Sequence, residues 1–236
     1  MKKILSVVMG SIIFLSVMTI KVSALEINET YLTEVEELSL RNTLNEDGIS
    51  KEVQDVLIEK KRNGELWDVE KSENLNKIPK DFFEFSFDKI EEKTYTFEDG
   101  SYLKITGNSI GKDMDLKSRL AMNRNAYVRN IPRLHVTASY GGTKLGIYAN
   151  VSMYYGGASR INSVEPTGYI YAMNGSLAAD PAPYIAKQEG NNSSAAIAKY
   201  APKFTRKQLF GATKTITTVY TLYVTGSGYY ADVYQY

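Results

Sequence analysis

Residues 145–154, Leu-Gly-Ile-Tyr-Ala-Asn-Val-Ser-Met-Tyr, alternate between apolar and polar side chains almost without a break. Successive side chains of a strand point to opposite faces. Leu145, Ile147, Ala149, Val151 and Met153 therefore form one apolar face, and Tyr148, Asn150, Ser152 and Tyr154 form the other. Residues 216–224, Ile-Thr-Thr-Val-Tyr-Thr-Leu-Tyr-Val, repeat the arrangement, with Ile216, Thr218, Tyr220, Leu222 and Val224 on one face. A period of two sustained over such lengths reads as a half-buried strand. Shorter strands are expected at 134–140, 168–173, 195–200, 204–210 and 229–236. Between them lie the turn signals Gly141-Gly142, Gly156-Gly157, Asn174-Gly175, Gly190-Asn191-Asn192 and Gly226-Ser227-Gly228. Strands at these spacings predict an antiparallel β-sandwich, with a barrel as the alternative.

Upstream the period changes. Residues 31–44 set Leu32, Val35, Leu38 and Leu44 among acids in a loose helical pattern. Ser50 is placed to cap a second helix, because its hydroxyl can accept from first-turn amides. Val53, Val56 and Leu57 are expected on one face of that helix, with Lys60, Lys61 and Arg62 at its end and Gly64 closing it. From Thr94, alternation around Tyr95, Phe97, Tyr102, Leu103 and Ile105, with Glu98-Asp99-Gly100-Ser101 at the tip, predicts a β-hairpin. The fold class is α+β: a small helical segment and hairpin, then the antiparallel sandwich.

The two parts differ in charge. Residues 25–106 hold 21 Asp and Glu against 11 Lys and Arg, a balance of −10, whereas residues 107–236 hold 6 against 14, a balance of +8. Fifteen of the 18 tyrosines also lie beyond residue 106. The expected organisation is a signal peptide over 1–24, an acidic helical module with hairpin over 25–106, a basic linker over 107–133 and a Tyr-rich antiparallel β domain over 134–236. The opposite charges allow intramolecular docking of the acidic and basic parts.

Lys2 and Lys3, the apolar run from Ile4 to Ile20, and Val22-Ser23-Ala24 have the three-part layout of a secretory signal peptide cut after Ala24. Export to an extracellular location follows. Removing Lys2, Lys3 and Lys21 takes the formal net charge from +1 to −2. Cysteine is absent, so stability must come from a hydrophobic core rather than from the disulfides common in exported domains. Export without disulfides is compatible with a Gram-positive bacterium.

Leu57-Ile58-Glu59-Lys60, Gly64-Glu65-Leu66-Trp67-Asp68 and Phe97-Glu98-Asp99-Gly100-Ser101 carry a resemblance. Together they resemble a module of uncharacterised secreted Gram-positive proteins. In those proteins a short helix and a Gly-Glu-x-Trp-Asp turn precede an Asp-Gly-Ser hairpin and a Tyr-rich β domain. The likeness covers residues 50–105. It implies secretion and this architecture, and it transfers no catalytic residue.

The inventory for chemistry is short. His135 is the single histidine and lies in a strand pattern, so two-histidine and thiolate zinc sites are excluded by count. Asp113 and Asp115 could offer oxygens to calcium, but no loop has the EF-hand spacing. No phosphate-binding glycine motif is present, the acids of the β part show no evident pairing, and no cofactor is called for. Trp67 reads as a core anchor at a turn. The better candidates are aromatic and basic surface residues: Tyr148, Tyr154, Tyr155, Tyr229 and Tyr230, with Arg124, Arg129 and Arg133. A tyrosine joins a flat apolar ring to a polar tip, which suits carbohydrate or interfacial contact. Partners of that chemistry are a cell-wall polymer, a polysaccharide or an anionic membrane surface; export disfavours nucleic acid.

The leading expectation is a non-enzymatic extracellular binding module. One alternative is a secreted toxin or antimicrobial protein whose acidic segment masks the basic part until cleavage between Gly107 and Arg133. A weaker alternative is a hydrolase.

Overall fold

Two antiparallel sheets stack face to face in the computed structural model, which describes residues 32–87, 90–109, 128–154, 157–166, 175–191, 193–207 and 213–235. The helical elements come first: α1 (Glu34–Glu46), α2 (Lys51–Arg62) and α3 (Ser72–Leu75), with single 3-10 turns at Asp68–Glu70 and Lys80–Phe83. The first sheet contains β2 (Glu91–Thr96), β3 (Tyr102–Ser109), β4 (Val128–Tyr140), β5 (Thr143–Tyr154), β6 (Ser159–Pro166) and β9 (Glu189–Gly190), in that spatial order. The second follows the order β1 (Glu84–Phe85), β13 (Tyr229–Gln235), β12 (Thr213–Val224), β10 (Ala196–Tyr200), β8 (Tyr184–Lys187). Along the other half of β12, β11 (Lys203–Lys207) takes the neighbouring place, with β7 (Gly175–Ala179) beyond it. The fold is thus α+β with sandwich-like sheets.

Alternation decides which faces meet. Leu145, Ile147, Ala149, Val151 and Met153 of β5 are all buried, as are Leu134, Val136 and Ala138 of β4. Facing them are Tyr220, Leu222 and Val224 of β12 and Tyr229, Ala231 and Val233 of β13, also buried. Polar bonds cross between the sheets as well. Tyr140 Oη donates to Thr218 Oγ1 at 2.9 Å, and Ser159 Oγ donates to the Val224 carbonyl at 2.7 Å. At Gly107 the approach is so close that a Cβ would stand 1.9 Å from the Tyr229 hydroxyl oxygen.

The helices cap one end of the sandwich. Thr33 and Glu36 form a capping box on α1. Gly64 (φ 73°) closes α2, with Glu65 N–H bonded to Lys60 O and Gly64 N–H to Lys61 O. Trp67 is fully buried and its Nε1 donates to the Leu57 carbonyl at 2.7 Å, so the indole anchors the turn. Glu70 accepts from the Trp67 amide at 2.8 Å and from the Lys61 ammonium, which also lies 4.8 Å over the indole. The hairpin tip locks onto this turn: Asp99 accepts from Lys60 Nζ at 2.7 Å and from the Asp68 amide at 2.9 Å, while Ser101 Oγ accepts from the Val69 amide at 3.1 Å. Asp47, at the end of α1, accepts from Tyr102 Oη at 2.6 Å and from Ser139 Oγ at 2.7 Å.

Several expectations need correction. The expected linker over 107–133 is strand at both ends, because β3 runs through Gly107 to Ser109 and β4 begins at Val128; residues 110–127 lie outside the described residues. The seven residues Leu103–Ser109 pair with Tyr140–Leu134, so the hairpin and the Tyr-rich strands form one sheet. Ser50 occupies the N-cap of α2 but its side chain makes no capping bond to the helix amides. The buried face of α2 is Gln54, Leu57, Ile58 and Lys61, and Val56 points to solvent. In α1, Leu40 and Leu44 are buried while Val35 and Leu38 are exposed. Strands β6 to β9 were not anticipated; β7, β8 and β9 have five residues or fewer, and β8 is largely exposed. The expected signal peptide and the strand at 168–173 lie outside the described residues.

Removing one member of a buried, hydrogen-bonded ion pair leaves the other uncompensated, at a cost of about 3–5 kcal/mol. Glu70→Ala is therefore expected to lower unfolding free energy by that order in urea titration, because Lys61 and Glu70 are both almost fully buried.

Candidate functional site

The outer face of the second sheet holds the candidate site. Residues directly opposite in an antiparallel pair project to the same side, and the register places Glu84, Tyr230, Tyr223 and Ile197 in one row across β1, β13, β12 and β10. The tyrosine rings stack, with centroids 4.3 Å apart and planes 9° from parallel. The stack leaves the far face of each ring free of the other: Tyr230 toward β1, Tyr223 toward β10. The next row is Asp232, Thr221 and Lys199.

A wall rises beside these rows. The chain from Leu75 to Glu84 is held by the buried Leu75 and Ile78, and with Asn76, Lys80 and Phe83 it encloses a cavity of about 540 Å³ over Tyr223, Tyr230 and Asp232. That volume falls within the ~300–1,000 Å³ typical of small-ligand clefts.

Asp232 is the electrostatic centre. Burial raises its carboxyl pKa from the ordinary value, opposed by a bond from the Val233 amide. No ion pair to it is found among the described residues. Burial also raises the phenols of Tyr223 and Tyr230, and the negative charge of Asp232 raises both further. The groove thus offers stacked rings, a half-buried carboxylate acceptor and the exposed Glu84 carboxylate at its margin. This arrangement suits a ligand with an apolar face and several hydrogen-bond donors.

The residues expected from the sequence are distributed differently. Among the described candidates, Tyr230 alone joins this groove. Tyr229 points into the core, stacked on Phe85 at 5.5 Å with 13° between the planes, because its neighbour takes the outer face. It is removed from the set of surface candidates. Tyr148 and Arg133 do come together, but on the opposite side of the sandwich. The Arg133 guanidinium lies 4.8 Å from the Tyr148 ring centre, and His135 stacks on Tyr148 at 4.2 Å. Arg133 sits at a bulge in β4 with φ 48°, its amide bonded to Asn150 Oδ1 at 2.8 Å. Burial, followed by the nearby Lys144 and Arg133 charges, lowers the His135 pKa. Arg129 is half-buried and donates to the Phe87 carbonyl at 3.2 Å. Tyr154 is exposed at the end of β5, and Tyr155 and Arg124 lie outside the described residues.

Tyr223, Asp232 and Glu84 were missed. A signal for the first existed: Tyr223 and Tyr230 each stand three residues from the Gly226-Ser227 pair, so a hairpin with that pair at its tip sets them opposite each other.

A raised folded-state carboxyl pKa contributes stability below its unfolded value and loses that contribution as pH rises through the folded value. Asp232→Asn is accordingly expected to raise the urea midpoint at pH 7, and the gain should disappear near pH 3. A lower midpoint at pH 7 would contradict the assignment of an uncompensated carboxylate. No protein-family model matches this chain, and no match was found among curated proteins or solved structures.

Proposed function

We propose that this chain is a secreted, non-enzymatic carbohydrate-binding protein whose ligand occupies the Tyr223–Tyr230–Asp232 groove. The observation that carries this reading is the stacked tyrosine pair beside a half-buried carboxylate with no cationic partner among the described residues. A sugar ring has a C–H face that packs on an aromatic ring and a rim of hydroxyl donors. A carboxylate is an acceptor-only group, and bonds to an ionised acceptor are roughly twice as strong as neutral ones. Hydroxyls delivered to Asp232 would thus supply what burial has taken away.

Charge selects among the partners considered. Asp232 and Glu84 line the groove, with Lys80 as its one cationic lining residue among the described residues. A phosphate-rich polymer or anionic lipid headgroup would meet like charge there, so the polysaccharide is favoured. Secretion is supported by the leader-like pattern of residues 1–24, and no helix among the described residues is long and apolar enough to cross a membrane.

Retention of the purified protein by insoluble polysaccharides (chitin, cellulose, starch, peptidoglycan) tests the proposal. Tyr230→Ala should weaken binding by about 1–2 kcal/mol, roughly 5–30-fold, through loss of ring contact. Its thermal transition should remain cooperative, since the ring is only half-buried. Failure of all four polymers to retain the wild-type protein would remove the proposal.

A further inference from the structure

Tyr230 borders a second hollow. Its volume is about 430 Å³, and beyond Tyr230 its polar lining comes from Asn191, Ser193, Ser194, Thr225 and Ser227. None of its described lining residues is charged, and the Lys187 ammonium donates to Ser194 Oγ at its rim at 2.7 Å. Hydroxyl and amide groups both donate and accept hydrogen bonds, matching the mixed demands of sugar hydroxyls.

The hollow is built by turns from both sheets. Asn191 and Ser194 exchange backbone bonds of 2.7 and 3.2 Å, and Asn191 Oδ1 also accepts from the Ser193 amide at 2.9 Å. The Thr225 amide donates to Gly228 O at 2.8 Å, and the Thr225 hydroxyl donates to the same carbonyl at 2.9 Å. Gly226 lies so close to the β5–β6 turn that a Cβ there would stand 2.4 Å from Gly157 Cα. These contacts fix the rim before any ligand arrives, and a preformed rim avoids the ordering cost of binding.

We infer that the two hollows are adjacent subsites for one unbranched, neutral oligosaccharide, with Tyr230 shared between them. The inference rests on the carbohydrate reading of the Tyr223–Tyr230–Asp232 groove. One unit packs against the aromatic and acidic end, and the next unit along the chain meets the uncharged hydroxyl and amide end. The uncharged lining of the second hollow among the described residues suits a neutral chain, and the two carboxylates of the first oppose a polyanion.

Calorimetric titration of the intact protein with β-1,4-linked N-acetylglucosamine and α-1,4-linked glucose oligomers, each from one to six units, tests this. In at least one ladder, affinity is expected to rise about tenfold or more, equivalent to 1.4 kcal/mol, between the monomer and the longer chains. Ser193→Trp places a bulky ring in the second hollow from an exposed turn position, and the ratio of long-chain to short-chain affinity should collapse. Equal affinity for every length would overturn the two-subsite inference while leaving the groove reading intact. Length dependence that survives Ser193→Trp would overturn it as well. No binding by any member of either ladder would overturn the two-subsite inference, and the groove reading would fall with it only if all four insoluble polymers also fail to retain the protein.

Discussion

The pairing of β3 with β4 is the constraint on which the rest depends. β3 runs through the point where composition and charge change, and its residues face two ways. Leu103 and Ile105 enter the sandwich core, where Gly107 admits Tyr229. On the other face, Tyr102 and Lys104 reach Asp47 at the end of α1. Backbone donors and acceptors withdrawn from water must be paired, and the ladder from Leu103–Tyr140 to Ser109–Leu134 pairs those of a strand that belongs to both parts. The hairpin tip then carries the helices, through Asp99 and Ser101, onto the end of the sheet.

Tyrosine solves a packing problem in a chain without disulfides. Tyr102, Tyr140, Tyr200, Tyr220 and Tyr229 are nearly or fully buried, each filling large core volume. A buried hydroxyl needs a partner, and three are supplied: Asp47 for Tyr102, Thr218 for Tyr140, and Asp180 for Tyr200 at 2.7 Å. Burial and the neighbouring carboxylates drive the Tyr102 and Tyr200 phenols well above their ordinary range, so both stay neutral donors at physiological pH. The high tyrosine content beyond residue 106 is thus partly a feature of the core. It over-predicts surface sites.

This explains what the sequence could and could not disclose. Alternation within one strand tells which residues share a face, and it placed Leu145 to Met153 inward and Tyr148 and Tyr154 outward. Alternation alone cannot say which outward residues from different strands meet. That depends on strand order, and the order β1-β13-β12-β10 places Glu84 and Tyr223 beside Tyr230 although they are far apart or hidden in sequence. Tyr229 and Tyr230 looked equivalent as a pair; the core needed one of them, and register chose. In the helices, exposed Val35, Leu38 and Val56 show the weakness of reading a face from apolar residues alone. Gln54 and Lys61 are buried in α2 because each finds polar partners there: Gln54 at Asn45 Oδ1 and the Ile49 carbonyl, Lys61 at Glu70.

The proposed site belongs to neither part alone. Its floor is β12 and β13, while its wall is the chain from Leu75 to Glu84, from the acidic part. That wall is fastened to the hairpin by the edge-to-face contact of Phe82 with Tyr95 at 5.9 Å, and Phe82 also meets Phe83 within the wall at 5.2 Å. Lys93 of β2 adds a donor to the Glu84 and Asp81 carbonyls and lies 4.8 Å over the Phe85 ring. The groove's two carboxylates come one from each side of the compositional break, Glu84 from the acidic part and Asp232 from the basic one. An acidic groove is therefore formed by a strand of the basic half, and net charge by segment is a poor guide to the charge a ligand meets. What the ligand meets is decided by register: β1 pairs with β13 so that Glu84 lies directly opposite Tyr230, two residues before Asp232.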